Sequence, residues 1–131
     1  MIESADEFVQ LRLSGGNADY QRIKQEEAPL AVWLEIARDH PDMRFWMAFN
    51  RALPEEVIRL LGEDEDWRVR AKIASRRDIL EYLSGDDHDA VVSSVASNPG
   101  TPNDALVRLA SHHWGQVRDR ASKQIEERDP K

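Results

Sequence analysis

Four histidines, His40, His88, His112 and His113, are the side chains of this sequence best suited to hold a metal ion. Ligation needs imidazole nitrogens that converge on one point. His40 and His88 fall at equivalent places in separate turns, and adjacent histidines such as His112 and His113 rarely aim at a single ion. Exposed or capping histidines are therefore expected, with no metal set assigned. There is no cysteine, which removes disulfides, thiolate metal sites and iron–sulfur clusters. A glycine-rich phosphate loop, a nucleophile elbow and a His-Glu-x-x-His helix are all missing from the sequence, so no catalytic residue and no cofactor are assigned.

Three other groupings carry chemistry of recognition. Acidic residues crowd successive turns: Asp39 and Asp42, then Glu63, Asp64, Glu65 and Asp66, then Asp86, Asp87 and Asp89. Stacked turns of this kind form a ridge that docks a basic partner. The competing reading is that carboxylates simply favour helix starts, which accounts for one or two per turn but not four in succession. The second grouping is an arginine column, Arg44, Arg70 and Arg118, which either grips an acidic segment or pairs each arginine with a turn aspartate of a neighbouring unit. Recurrence favours this structural ladder. The third is aromatic. Trp33, Phe45, Trp46 and Phe49 at helical spacing belong to a core. Trp67 and Trp114 each open a helix, and Trp114 beside His112 and His113 is the better candidate for an exposed anchor. The candidate partner-binding set is thus Asp64, Glu65, Asp66, Asp86, Asp87, Asp89, Trp67 and Trp114.

The elements that must position these groups follow a repeat. Trp67-Arg68-Val69-Arg70-Ala71-Lys72-Ile73-Ala74 recurs around Met43, Arg44, Met47 and Ala48, around Val91, Val92, Val95 and Ala96, and around Val117, Arg118, Ala121 and Ser122. Its small residue falls at 48, 74, 96 and 122, so the steps are 26, 22 and 26 residues. A period in the twenties signals stacked helix pairs rather than one closed core. Four units are expected, over 29–53, 54–75, 76–100 and 101–127, opened by Pro29, Pro54, the Ser75 to Asp78 capping spacing and the Thr101 to Asp104 capping spacing.

Residues 1–28 do not match the unit and read as an N-terminal helical cap. Ser4 with Glu7 forms a capping box, Gly15 and Gly16 stop the first helix, and Asn17 caps a second. The aromatic face of Phe45, Trp46 and Phe49 takes the place of Ala71, Lys72 and Ser75, so the cap should cover it with Phe8, Leu11, Tyr20 and Ile23. The last helix, 115–127, turns polar towards its end, and the tail 128–131 is expected to fray. The fold class expected is all-α, a short α-solenoid.

Composition limits the partners. With 25 acidic against 18 basic residues the net charge is −7, which repels a phosphate backbone and attracts basic proteins. No apolar run is long enough to cross a bilayer, and the acidic start Met1-Ile2-Glu3-Ser4 lacks a secretory pattern, so no membrane association and a cytoplasmic location are expected.

Val69-Arg70-Ala71-Lys72-Ile73-Ala74-Ser75-Arg76 and Val91-Val92-Ser93-Ser94-Val95-Ala96-Ser97-Asn98-Pro99 resemble the HEAT-like family, in particular its leucine-rich repeat variant, over residues 29 to 125. Val92 departs from the motif arginine, and Arg76 and Gln124 depart from the asparagine seen at Asn50 and Asn98. Some relatives carry a cysteine-ligated iron–sulfur cluster, which this chain has no cysteine to hold. The resemblance implies a protein-interaction scaffold and no enzyme. One version is a bacterial immunity-type inhibitor that covers a basic toxin domain. The alternatives are a nucleic-acid role like that of HEAT-like DNA glycosylases and an assembly scaffold.

Overall fold

The computed structural model describes residues 1–76 and 79–128. Arg77 and Asp78, and with them the Ser75 to Asp78 capping spacing, lie outside the described residues, as do residues 129–131. The chain divides into two compact units, Met1–Leu61 and Gly62–Lys131. Among the described residues every regular element is helical.

In the first unit, α1 (Ala5–Ser14) starts on Ser4, whose hydroxyl accepts the Glu7 amide at 3.0 Å, while the Glu7 carboxylate accepts the Glu3 amide at 2.7 Å. Gly15 ends the helix at φ 71°, a left-handed conformation that suits glycine because it has no Cβ. The next helix, α2 (Asn17–Gln25), is capped at Gly16 with no side-chain bond, so Asn17 lies inside the helix rather than capping it. α3 (Leu30–Asp39) follows Pro29, then a 3₁₀ turn (Pro41–Met43), α4 (Arg44–Met47) and α5 (Glu55–Gly62). Packing joins α1 to α2 and α3, and α2 to α4.

Trp33 is the centre of this unit. It is fully buried, with Phe8 edge-on at 5.8 Å, and its indole nitrogen makes no hydrogen bond. Burying an indole is worth on the order of 5 kcal/mol. An unpaired buried N–H costs about 1–3 kcal/mol, so the apolar gain prevails. At the margins of this core Leu34 and Leu60 are exposed, and Ile36 is buried.

The second unit holds α6 (Trp67–Ile73), α7 (Leu80–Leu83), α8 (Asp89–Ser97), α9 (Asn103–Leu109) and α10 (Gly115–Arg128). α8 packs on α6, α7, α9 and α10, and α9 packs on α10. Its core includes Val69, Ile73, Leu80, Leu83, Val91, Val95, Leu106, Val117 and Ala121. Gly62 sits where a Cβ would lie 3.0 Å from the Ile79 side chain, so a larger residue there would press on Ile79.

Two sequence expectations fail here for hydrogen-bonding reasons. Thr101 does not cap α9. Its buried hydroxyl donates back to the Val95 carbonyl, and the N-cap of α9 is Pro102 with no side-chain bond. Arg128 does not fray, because its guanidinium donates to the Pro99 and Thr101 carbonyls at 2.7 and 2.6 Å and to Asn103 Oδ1 at 2.8 Å.

A row of amides ties successive helix ends together within each unit. Asn50 Nδ2 donates to the Ile23 and Glu26 carbonyls at the end of α2, and its Oδ1 accepts the Ala52 amide. Asn98 Nδ2 donates to the Ala74 carbonyl at the end of α6, and its Oδ1 accepts the Gly100 amide. Gln124 Nε2 donates to the Ala96 and Asn98 carbonyls at the end of α8. Carbonyls at a helix C-terminus have no partner within the helix, and these amides supply it from one period further along the chain. The Gln124 substitution at the asparagine position therefore keeps the donor.

Candidate functional site

The turns of the second unit share one hydrogen-bond plan. A side chain two residues before each helix cap accepts the cap residue's amide: Asp64 Oδ1 from Asp66 at 2.8 Å, Asp86 Oδ1 from His88 at 2.9 Å, and His112 Nδ1 from Trp114 at 3.1 Å. Asp66 and His88 then cap α6 and α8, accepting the amides of Arg68 and Ala90. Short acceptors favour such turns because they satisfy the backbone locally. Much of the acidic run is thus committed to building the turn.

The arginine column completes the same plan. Arg44 Nε donates to the Ala37 carbonyl at 2.6 Å, Arg70 Nη1 to the Asp64 carbonyl at 2.7 Å, and Arg118 Nη1 to the His112 and His113 carbonyls at 2.9 and 3.0 Å. The common partner is a backbone carbonyl five to seven residues upstream, in the last turn of α3 for Arg44 and in the turn before the helix for Arg70 and Arg118, where the ladder reading expected an aspartate of a neighbouring unit. Arg70 makes that aspartate contact too, with Asp86 at 2.8 and 3.2 Å. Both side chains are largely shielded, at 14% and 9% exposure, and the carboxylate pushes the Arg70 guanidinium pKa further up.

Pairing sorts the expected binding residues into available and engaged. Asp86 is buried against Arg70 and holds the His88 amide, so reversing its charge breaks the fold before it tests an interface. Asp66 is engaged in a two-pronged pair with Arg68, which together with the Arg68 amide holds its carboxyl below the usual range. Asp89 pairs with His113 at 3.0 Å. Asp64 is half-buried. Glu65 is exposed, and the Asp87 side chain is 98% exposed at 3.7 Å from Arg70.

The tryptophans exchange ranks. Trp67 is 41% exposed and stacks on His88 with centroids 4.4 Å apart and planes 12° from parallel, whereas Trp114 is only half-exposed. Trp67 is therefore the more exposed of the two rings. His112 and His113 lie closer to a third ligand group than their adjacency alone suggested. Their rings lie 4.1 Å apart, and together with Asp89 they bring three ligand atoms within 4.8 Å of one another. Sequence spacing missed this because Asp89 opens α8, a full helix pair upstream of the histidines.

Each unit also has a concave place among its described residues. In the first unit a cavity of about 420 Å³ lies among Leu11, Arg12, Gly15, Asn17, Tyr20, Ile23 and Trp46. The Arg12 guanidinium covers the Trp46 ring at 3.8 Å. Leu11, Tyr20 and Ile23 are thus neighbours of Trp46 as expected, while Phe8 turns to Trp33 instead. In the second unit a groove of about 340 Å³ is lined by Lys72, Ser75, Ser94, Ser97, Asn98 and Arg120, with no carboxylate among its lining residues.

Among the described residues no helix is long and apolar enough to cross a membrane. Compared with protein families, curated proteins and solved structures, the chain shows no match.

Proposed function

We propose that this chain is a non-enzymatic protein-binding module, a short α-solenoid of HEAT-like helix pairs, which docks a basic partner on the turn edge of its second unit. The stack reading is supported by the amides of Asn50, Asn98 and Gln124, which bond helix ends about one period upstream, and by the succession of α6, α8 and α10 in contact. The observation that carries the binding reading is Trp67, exposed and stacked on His88, with the exposed carboxylates of Glu65 and Asp87 each one or two residues along the chain from a ring of that stack. An exposed aromatic face beside carboxylates suits a lysine or arginine side chain by cation–π and charge attraction together. A partner of that chemistry fits an immunity-type inhibitor that covers a basic toxin domain.

A lysine-rich peptide titrated at low salt, followed by tryptophan fluorescence, tests the site. The Trp67→Ala variant and the Glu65→Lys/Asp87→Lys double variant should each lose at least about tenfold in affinity. An Asp6→Lys/Asp19→Lys control, with the same change in net charge, should lose far less. Equal affinity in all four proteins would reject the site.

A nucleic-acid role has one observation in its favour, the groove lined by Lys72 and Arg120 with three serines. Two cations neutralise few phosphates against a chain of net charge −7. Retention of duplex DNA in a low-salt titration would move the proposal to that groove.

A further inference from the structure

We propose that Asp89, His112 and His113 form a surface site for a divalent transition-metal ion such as Zn²⁺ or Co²⁺. The donor set is two imidazoles and a carboxylate, which suits borderline cations and disfavours Mg²⁺ and Ca²⁺, whose ligands are oxygens. Its geometry is close to what an ion imposes. Metal–nitrogen and metal–oxygen bonds of about 2.0–2.2 Å place neighbouring donors about 3.3 Å apart. His113 Nε2 and Asp89 Oδ1 are 3.0 Å apart, and all three ligand atoms lie within 4.8 Å of one another. The remaining separations, up to 4.8 Å, shorten when all three donors bind one ion.

The three residues come from two elements. Asp89 is the first residue of α8, and the histidines form the turn that leads into α10. The ion would cross-link them, adding a joint between helices that already pack together. His112 brings one competing commitment, since its Nδ1 accepts the Trp114 amide and its proton therefore rests on Nε2. Ligation through Nε2 moves that proton to Nδ1 and releases the turn bond. Ligation through Nδ1 replaces the turn bond directly. Either way the amide of Trp114 loses its partner, so metal binding changes the backbone and the indole environment at residue 114.

The test is titration of the full chain with Zn²⁺ by calorimetry and with Co²⁺ by visible absorption, alongside thermal melting. The expected result is one ion per chain with a dissociation constant of about 10 μM or tighter, a Co²⁺ d–d band, and a raised melting temperature. His113→Gln and Asp89→Asn should each weaken binding by about tenfold or more, and His40→Gln should leave it unchanged. Trp114 fluorescence should change with the same midpoint. Absence of a saturable site up to about 1 mM metal, or undiminished binding in His113→Gln, would overturn the assignment.

Discussion

The same helix face is aromatic and partly covered in one unit, and polar and open in the other. On α4 and the residue pair after it, Phe45, Trp46 and Phe49 form a mutual cluster with centroids 5.2–5.6 Å apart, and Arg12 from α1 lies across Trp46. On α6 the corresponding positions are Ala71, Lys72 and Ser75, and they line a polar groove with Ser94, Ser97 and Arg120. The backbone plan is shared, down to the arginine that bonds the preceding turn. Side-chain apolarity alone decides whether the face must be covered. Aromatic surface exposed to water is costly enough to recruit a covering helix pair, while a serine and lysine surface is satisfied by solvent.

The sharpest way to break this comparison is to truncate equivalent faces. Trp46→Ala should destabilise the first unit by about 3 kcal/mol, near the low end for a large aromatic because the ring is only half-buried. Ser75→Ala, at the position of Phe49, should change stability by less than about 0.5 kcal/mol. Chemical denaturation monitored by circular dichroism measures both. Equal losses would mean that the two faces are not doing different jobs.

The amide row provides a second, smaller contrast. Asn50 is fully buried and serves two carbonyls and an amide, so Asn50→Ala should cost about 2 kcal/mol. Asn98 is half-buried and its neighbours reach water more readily, so Asn98→Ala should cost about 1 kcal/mol. Hydrogen exchange at the Ala52 and Gly100 amides, which bond the two asparagines, would locate each loss.

The smallest expected effect separates the units by pH. In the first, Arg22 and then the N-terminal ammonium hold the Glu26 carboxyl down to about 2, from an ordinary value of 4.5. Stability from that depressed acid is complete above about pH 4.5 and is lost as pH falls towards 2. In the second, burial depresses His112, so its contribution is complete above 6.5 and begins to be lost as pH drops below it. Melting temperature should therefore start to fall as pH drops below 6.5, and His112→Asn, which keeps an acceptor for the Trp114 amide, should remove that early fall while leaving the one that begins below about pH 4.5.

Local features were legible from residue types. Ser4, Gly15 and Asp66 act where their chemistry places them, because a cap or a left-handed residue depends only on neighbours within a few positions. The helices and the acidic turns between them were legible for the same reason. Asn17 and Thr101 were misread because each position offered two local solutions, and packing selected the other one.

The candidate site was legible only in part. Acidic residues were visible in the turns, but which of them face solvent depended on bonds made across the fold: Arg70 to Asp86, sixteen residues apart, and His113 to Asp89, a helix pair apart. The order of Trp67 and Trp114 as anchors likewise followed from what stood beside each ring. By itself, then, the amino-acid order determined the helical character, caps such as those of Ser4 and Asp66, and the acidity of the turns, since these arise from short-range backbone and side-chain preferences. Tertiary structure decided which carboxylates are neutralised, which indole reaches water and which histidines meet an aspartate, because those outcomes depend on distances between residues that only packing brings together.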